Sequence, residues 1–318
     1  MPLPSDEKIV RRANDLLAQF DTIFGQHPGF RAAHAKGILL TGKFTPARAA
    51  ASLTRAQHAN RESTPVSVRF SNGTGIPVIP DNDANANPRG MAIRFHLADR
   101  VHTDIVSHAA DAFPTRTGQE FLEFLRAATS QSKSSPSPIE TFLASHPAAL
   151  AWVKMPKPSP SSFAKEAYFG VTAFRFINKE GTARYGRYRI TPAAGIEHLD
   201  DAALKTKDAN YLFDEIRSRI ATGPVRFQIQ VQTADDKDVV DDATIHWPAD
   251  RPVIDFGTIE LNAEASNNQQ EQQHIIFDPI PRLDGIEPSA DPLLELRAAI
   301  YLLSGRRRRA AETQTRTA

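Results

Sequence analysis

The sequence predicts an α+β protein whose antiparallel strands form a barrel or a sandwich, with helices flanking it. Two observations support this fold class. Several short segments alternate apolar and polar residues, which is typical of half-buried strands, and turn-forming residues separate them. Amphipathic helical patterns precede, interrupt and follow these segments, so we expect the helices to pack against the strands.

The first predicted element is an amphipathic helix over residues 6–21, with Ser5 placed to cap it. We expect residues 1–24 to form a helical arm that packs on the body of the molecule. The apolar residues of this helix recur at helical spacing and are Ile9, Ala13, Leu16, Leu17 and Phe20.

The clearest predicted strand covers residues 66–71, where apolar and polar residues alternate strictly. Because side chains alternate between the two faces of a strand, Arg69 and Ser71 are expected to point to the same face. Further strands are predicted over residues 91–97 and 225–231, with residues 168–177 and 183–190 forming a hairpin.

Helices are also predicted over residues 119–128, 208–221 and 291–304. Ser289 or Asp291 can cap the last of these helices, and Gly305 is expected to end it.

Three segments are predicted to lie outside this framework. Residues 129–162 are rich in Ser, Pro and Lys, and residues 261–273 form a polar Asn/Gln/Glu run, so both are expected to be surface excursions. Residues 311–318 are expected to form a frayed tail after the main domain of residues 25–310.

Composition excludes several classes of function. Hydrophobic residues make up 41% of the chain and charged residues 24%, which predicts a folded globular protein. The formal net charge of +1 argues against nucleic-acid or membrane binding driven by bulk charge. The absence of cysteine excludes disulfides, thiolate nucleophiles and iron–sulfur clusters. No long apolar stretch or secretory leader is visible, so we expect no membrane span and a cytoplasmic location.

The last predicted helix places two side chains where they can interact. Arg297 and Tyr301 are one helical turn apart, on the same face. A fixed cation beside a phenol lowers its pKa by about 1–3 units and so favours the phenolate, an anionic oxygen donor able to hold a ferric haem iron. Alone, however, the pair is more typical of an ordinary contact on a helix surface.

A series of short motifs, taken in order, resembles the haem catalases. RAAHAKG at 31–37 is followed by LTGKF, PVSVRFS and PRGMAIRF, and later by YFGVTAFRFINKEG, NYLFDEIRSRIATGPVRFQIQVQ and FDPIPRLDGIEPSADPLLELRAAIY. The resemblance covers residues 25–310 and implies an antiparallel β-barrel haem-catalase core with flanking helices. The short chain, with Arg297 and Tyr301 near its end, is similar to the small catalase-related peroxidases.

The resemblance implies a haem b cofactor and a role for each matching residue. His34 would be the catalytic histidine on the peroxide side, oriented by Ser71, and Tyr301 would be the axial ligand of the iron. Arg297 would be the charge partner of Tyr301, and Asp291 would support that arginine. The remaining residues implied to bind haem are Arg31, Arg69 and Arg308 at its propionates and Phe121 near its distal face.

Two positions depart from the family pattern. Ala109 stands where we expect an amide that helps to bind peroxide, which predicts weak catalase activity. Arg189 replaces a histidine near the axial arginine, and its added positive charge should favour the phenolate further.

The resemblance therefore implies a peroxidase that reduces hydrogen peroxide or organic hydroperoxides through an oxo-ferryl intermediate. An organic electron donor would complete the reaction, and a homodimer is a candidate assembly. Two related activities stay open, which are catalase proper and the rearrangement of fatty-acid hydroperoxides as in allene oxide synthases.

Three hypotheses from other classes compete with this one. A haem carrier or sensor would bind the cofactor without reacting with peroxide. The basic run at residues 306–309 could indicate nucleic-acid binding, although such a run at a helix end more often interacts with the helix carbonyls. The pairs His102–Asp104 and His108–Asp111 could indicate a metal site, but their spacing matches no common ligand motif.

Overall fold

The computed structural model describes residues 2–317, with the side chains of residues 312–317 left undescribed. Its strands form one antiparallel sheet. The strands are β1 (Gly37–Pro46), β2 (Thr64–Ser71), β3 (Gly90–Ala98), β4 (Val101–His108), β5 (Tyr168–Phe169), β6 (Phe174–Ile177), β7 (Ala183–Pro192), β8 (Val225–Thr233), β9 (Val253–Glu264) and β10 (Ile286–Pro288).

Helices surround the sheet. They are α1 (Glu7–Phe24), α2 (Ala50–Leu53), α3 (Gly118–Ala128), α4 (Pro138–Ser145), α5 (Pro147–Lys154), α6 (Asp201–Lys205), α7 (Tyr211–Thr222), α8 (Asn268–His274) and α9 (Leu293–Thr317), together with short 3₁₀ turns at Gln57–Ala59, Ala84–Ala86 and Phe163–Lys165.

The sheet closes into a barrel because β7 pairs with β8 as well as with β5. The closed ring runs in the order β7-β5-β4-β3-β2-β1-β9-β8, while β6 and β10 extend from the rest of the β7 edge. The predicted hairpin is confirmed between β6 and β7. Residues 168–177 are nevertheless two strands rather than one, because β5 and β6 pair with different parts of β7.

The barrel interior is filled by aromatic and branched side chains. Val66, Val68 and Phe70 of β2 point inward as the alternation predicts, and all three are buried. Phe44 and Phe95 meet edge to face with ring centroids 5.1 Å apart. Each such fully buried side chain contributes about 1.5–3 kcal/mol, so the packed interior stabilises the fold.

An outer layer forms where α1, α3 and α9 pack together. Leu16 of α1, Leu122 of α3 and Leu296 of α9 are buried in one apolar cluster. The predicted first helix is therefore confirmed, although Asp6 rather than Ser5 caps it by accepting a hydrogen bond from the backbone N–H of Lys8. Among the described residues, no helix combines the length and apolar composition that crossing a bilayer requires.

One local prediction is wrong, and two segments predicted as surface excursions contain regular structure. Gly305 lies within α9 and does not end it; a Cβ there would overlap the side chain of Ile276, so this glycine allows close packing. Residues 129–162 contain α4 and α5. Residues 261–264 belong to β9, and most of the polar run that follows is α8. The backbone of residues 311–317 is part of α9, whereas residue 318 lies outside the described residues. The predicted fraying of residues 311–318 stays a prediction.

Candidate active site

A cavity of about 1020 Å³ lies between the outer face of the sheet and the surrounding helices. One wall comes from β2, β3 and β4, and other walls come from α1, α3, α5 and α9. Eight of the residues that the sequence predicted for the site line this cavity, and they are Arg31, His34, Ser71, Arg69, Phe121, Arg297, Tyr301 and Arg308.

His34 stands just before β1 in a left-handed backbone conformation, with φ of 57°. Hydrogen bonds from the N–H of Ala35 to the carbonyl of Thr74, and from the N–H of His34 to the carbonyl of Gly73, hold the segment in place. A non-glycine residue in this conformation costs about 1–3 kcal/mol and persists only where the surroundings impose it. This strained conformation therefore occurs at His34, the residue predicted to be catalytic.

The imidazole of His34 rests against the sheet at Gly90. Its Nδ1 lies 3.1 Å from the hydroxyl oxygen of Ser71. A Cβ on Gly90 would lie 2.8 Å from Nδ1 and 2.7 Å from that hydroxyl oxygen. Only glycine therefore leaves room for the His34–Ser71 contact.

His34 is held as a neutral imidazole. Burial, and after it the positive charge of Arg69, lowers the pKa of His34 to about 3. The ring is therefore uncharged near neutral pH. Because Nδ1 is engaged by Ser71, Nε2 is the ring nitrogen that remains available to exchange a proton with a molecule in the cavity.

The wall formed by α9 carries the predicted phenol–guanidinium pair. Nε of Arg297 donates a hydrogen bond to the Tyr301 hydroxyl oxygen over 3.2 Å. The guanidinium carbon also lies 5.7 Å from the centroid of the Tyr301 ring. The interaction predicted from the spacing of these residues is therefore present, and its phenol oxygen is a candidate ligand for a metal in the cavity.

Three arginines gather at one end of the cavity, and their charges are not balanced by carboxylates. Arg31 donates to the carbonyls of Gln272 and Ile275, and Arg308 donates to the carbonyls of Gln273 and Ile275. Among the described residues, no Asp or Glu forms an ion pair with these two arginines or with Arg69. The three guanidinium groups therefore concentrate positive charge at this end of the cavity.

Burial and mutual repulsion lower the pKa values of these arginines. Burial, and then the charge of Arg308, lowers the pKa of Arg69 to about 9. Burial lowers the pKa of Arg308 to about 10, and burial together with Arg69 and Arg308 lowers that of Arg31 well below its ordinary value. Partly buried cations of this kind are stabilised by an anion that binds among them.

The walls beside the arginines are apolar. Phe121 contacts three other rings, with centroid distances of 5.0 Å to Phe113, 6.4 Å to Phe20 and 6.4 Å to Phe124. The segment predicted as a surface excursion contributes Trp152 from α5 to the same cavity. A flat apolar molecule that carries carboxylates at one edge fits this combination of walls and cations, and haem has that chemistry.

Two supporting positions that the sequence predicted, Asp291 and Arg189, lie outside the cavity lining. Asp291 accepts a hydrogen bond from the N–H of Leu293 at the start of α9 and has none with Arg297. Arg189 forms an ion pair with Asp111 at 3.2 Å and does not line the cavity.

The assignment of the missing amide to Ala109 also changes. Ala109 does not line the cavity, whereas the preceding residue, His108, does. Sequence analysis considered His108 only as a metal ligand beside Asp111. The strand alternation over 104–108 is the signal that could have placed His108, because it puts this side chain on the outer face of the sheet.

The structure gives other roles to the remaining candidates. Asp104 forms an ion pair with Arg94 at 2.7 Å. Within the part of the chain that the structure describes, no three His, Asp or Glu side chains gather where they could hold a metal ion. In the basic run, Arg308 lies in the cavity, and Arg307 forms an ion pair with Asp21 at 3.0 Å.

Comparison with known proteins gives the class to which this fold and site belong. The model of the catalase family matches residues 17–315. The chain therefore belongs to the catalase family.

Within this family, the chain is similar to two catalase-related peroxidases. The chain is 35% identical over 283 residues to a catalase-related peroxidase from Mycolicibacterium paratuberculosis, covering 88% of this chain and 89% of the relative. It is 31% identical over 297 residues to a catalase-related peroxidase from Synechococcus elongatus, covering 92% and 87%. A solved bacterial catalase superposes with a TM-score of 0.77 at 24% identity, covering 97% of this chain but 62% of that catalase.

Proposed function

We propose that the protein is a haem b peroxidase that reduces hydrogen peroxide or an organic hydroperoxide with electrons from an organic donor. Membership of the catalase family makes peroxide the class of substrate. The single observation that carries the proposal is the cavity itself. It brings the Tyr301–Arg297 pair and the His34–Ser71 pair into one space that is bordered by uncompensated arginines.

The residues present fit haem. Among the described residues, Arg31, Arg69 and Arg308 have no carboxylate partner, and the two propionates of haem would supply that negative charge in bidentate form. The aromatic walls match the apolar porphyrin, and the Tyr301 oxygen, supported by Arg297, would ligate the iron. When bound, this group supplies the redox chemistry, while the protein supplies orientation and proton transfer.

His34 is the acid and base in this proposal. Its neutral Nε2 accepts the proton of the peroxide oxygen that approaches the site, and the imidazole returns that proton to the departing oxygen as the O–O bond breaks. Ser71 holds the ring through Nδ1 so that Nε2 keeps its direction. Positioned acid–base catalysis of this kind contributes about 10²–10⁴ in rate.

The relatives of this chain that are named catalase-related peroxidases favour an organic electron donor. We therefore expect oxidation of an organic donor to outweigh the release of oxygen from hydrogen peroxide.

The test is haem loading followed by assays on matched variants. Wild-type protein reconstituted with haem should show a Soret band and oxidise an aromatic dye with hydrogen peroxide. Tyr301→Phe should retain the fold but shift the ferric spectrum, because the phenol oxygen is lost. His34→Ala should keep the spectrum and lose about 10²–10⁴ of the rate of the peroxide step.

Each alternative has a distinct outcome. Failure of the wild-type protein to bind haem would refute the proposal. Stable haem binding without any reaction with peroxide would indicate a carrier or sensor. Oxygen release that exceeds dye oxidation would indicate a catalase, and isomerisation of a fatty-acid hydroperoxide would indicate a rearranging enzyme.

A further inference from the structure

His108 belongs to a row of residues that crosses the sheet beneath His34. Ser71 on β2 is directly opposite Gly90 on β3, and Gly90 is directly opposite His108 on β4. Residues that are directly opposite on antiparallel strands project from the same face. The imidazole of His34 occupies the space above Gly90, so it lies between Ser71 on one side and His108 on the other.

The backbone fixes which nitrogen of His108 carries the proton. The N–H of Ala110 donates to Nδ1 of His108 over 3.3 Å, so in the neutral ring Nδ1 is the acceptor and Nε2 bears the hydrogen. Burial, and then the charge of Arg297, lowers the pKa of His108 to about 4, which keeps the ring neutral near pH 7. Within the described residues, Nε2 of His108 has no hydrogen-bond partner, and the residue lines the cavity.

We propose that His108 is a second hydrogen-bond donor on the peroxide side, whose Nε2–H binds a peroxide oxygen or a small anion beside His34. This inference rests on the proposed function. His34 and His108 then have different roles in the cavity. His34 exchanges the proton, while His108 donates a hydrogen bond and keeps its proton.

The role of a donor can be tested without measuring catalysis. Fluoride is a suitable probe because it binds ferric haem and accepts hydrogen bonds. In haem-loaded protein, His108→Leu should raise the fluoride dissociation constant by roughly 10- to 100-fold, the effect of losing a hydrogen bond to an anion. It should also shift the charge-transfer band of the fluoride complex, which responds to hydrogen bonding at the bound anion.

Three further variants make the result specific. His108→Gln restores an N–H donor at about the reach of Nε2 and should return the dissociation constant to within a few-fold of wild type. His102→Leu removes a histidine from the exposed end of the same strand and should leave fluoride binding unchanged. His108→Met is a second apolar variant if the leucine variant does not fold, as judged by circular dichroism.

The outcomes separate this inference from the proposed function. Fluoride binding that is unchanged in a folded, haem-loaded His108→Leu or His108→Met protein would overturn the role of His108 and leave the peroxidase proposal intact. If the wild-type protein binds no haem, both fail together. Equal weakening by leucine and glutamine would also overturn the inference, because it would show that packing rather than donation matters.

Discussion

At the scale of single residues, the site depends on positions where a backbone requirement and a chemical requirement coincide. His34 has a positive φ, and its ring needs the space that Gly90 leaves free. The strain at His34 is offset by hydrogen bonds to neighbouring backbone and by the contact with Ser71. A small change beside the imidazole should therefore alter chemistry more than stability.

Gly90→Ala tests this directly. The added methyl group would lie 2.8 Å from Nδ1 of His34, closer than packed atoms allow, so we expect the imidazole to move away from Ser71. The rate of the peroxide step should fall by about 10- to 100-fold, since a displaced acid–base group loses much of its effect. Stopped-flow mixing of haem-loaded protein with peroxide measures this rate.

Gly181→Ala is the comparison for that variant, because nothing lies within 4 Å of a Cβ at Gly181. It has a positive φ, so it should lose some stability and keep the rate of the peroxide step. A Gly90→Ala protein that reacts as fast as Gly181→Ala would show that the space above Gly90 is not needed.

Much of the candidate site could be predicted at this scale, and the reason is chemical. Arg297 and Tyr301 are one helical turn apart, and Arg69 and Ser71 alternate on one strand, so local geometry already brings each pair together. His108 was missed because its importance comes from cross-strand register with Gly90, which a single sequence does not reveal. Ala109 was assigned from the family pattern, one position after the residue that lines the cavity.

At the scale of elements, the polar composition of two segments hid the helices α4 and α8 from prediction. α8 was predicted as an excursion because it lacks apolar periodicity. Its Gln272 packs through hydrogen bonds instead, accepting from Nε of Arg69 over 2.7 Å and donating to the carbonyl of Gly37 over 3.0 Å. α4 had a visible signal in its capping box of Ser137 and Glu140, but the surrounding Ser and Pro residues obscured it.

The start of α9 gives a prediction for stability. One carboxylate oxygen of Asp291 caps the helix, while Oδ2 is buried and has no hydrogen-bond partner among the described residues. Burial raises the pKa of Asp291 to about 6. The folded protein therefore binds this proton more tightly than the unfolded chain, and stability falls as the pH rises from about 4 to about 6.

Asp291→Asn should consequently stabilise the apoprotein at pH 7.5 by about 1–3 kcal/mol, with a smaller gain at pH 5. The amide oxygen keeps the cap and the charge is removed. Urea unfolding at both pH values measures the difference. Asp6→Asn, at the exposed cap of α1, serves as the control. A gain from Asp291→Asn that is equal at both pH values would contradict this account.

At the scale of the whole molecule, the stable core and the site are separate. The barrel interior is closed by the pairing of β7 with β8 and filled by side chains such as Phe44, Phe95 and Phe256. The cavity lies outside this core, against helices that pack in a smaller cluster of their own. The barrel class could be anticipated from strand alternation, but closure depends on long-range pairing that no local pattern specifies.

Removal of haem should therefore loosen the helices around the cavity and leave the barrel folded. We expect the apoprotein to keep the circular dichroism of its strands and the slow hydrogen exchange of the barrel, while α1, α3 and α9 exchange faster. The reason is that these helices lose a packing partner and the three arginines lose their counter-charges. Hydrogen exchange of the apoprotein and the haem-loaded protein measures this. Global loss of protection in the apoprotein would contradict it.

The filled barrel also determines where substitutions can change the reaction without preventing folding. Because the residues that fold the chain are hidden inside it, substitutions on the outer wall are free to alter which molecules enter and how they react, with little risk to folding. Natural variation in a lineage built on this plan should accumulate on the helices around the cavity. The aromatic interior should change slowly by comparison.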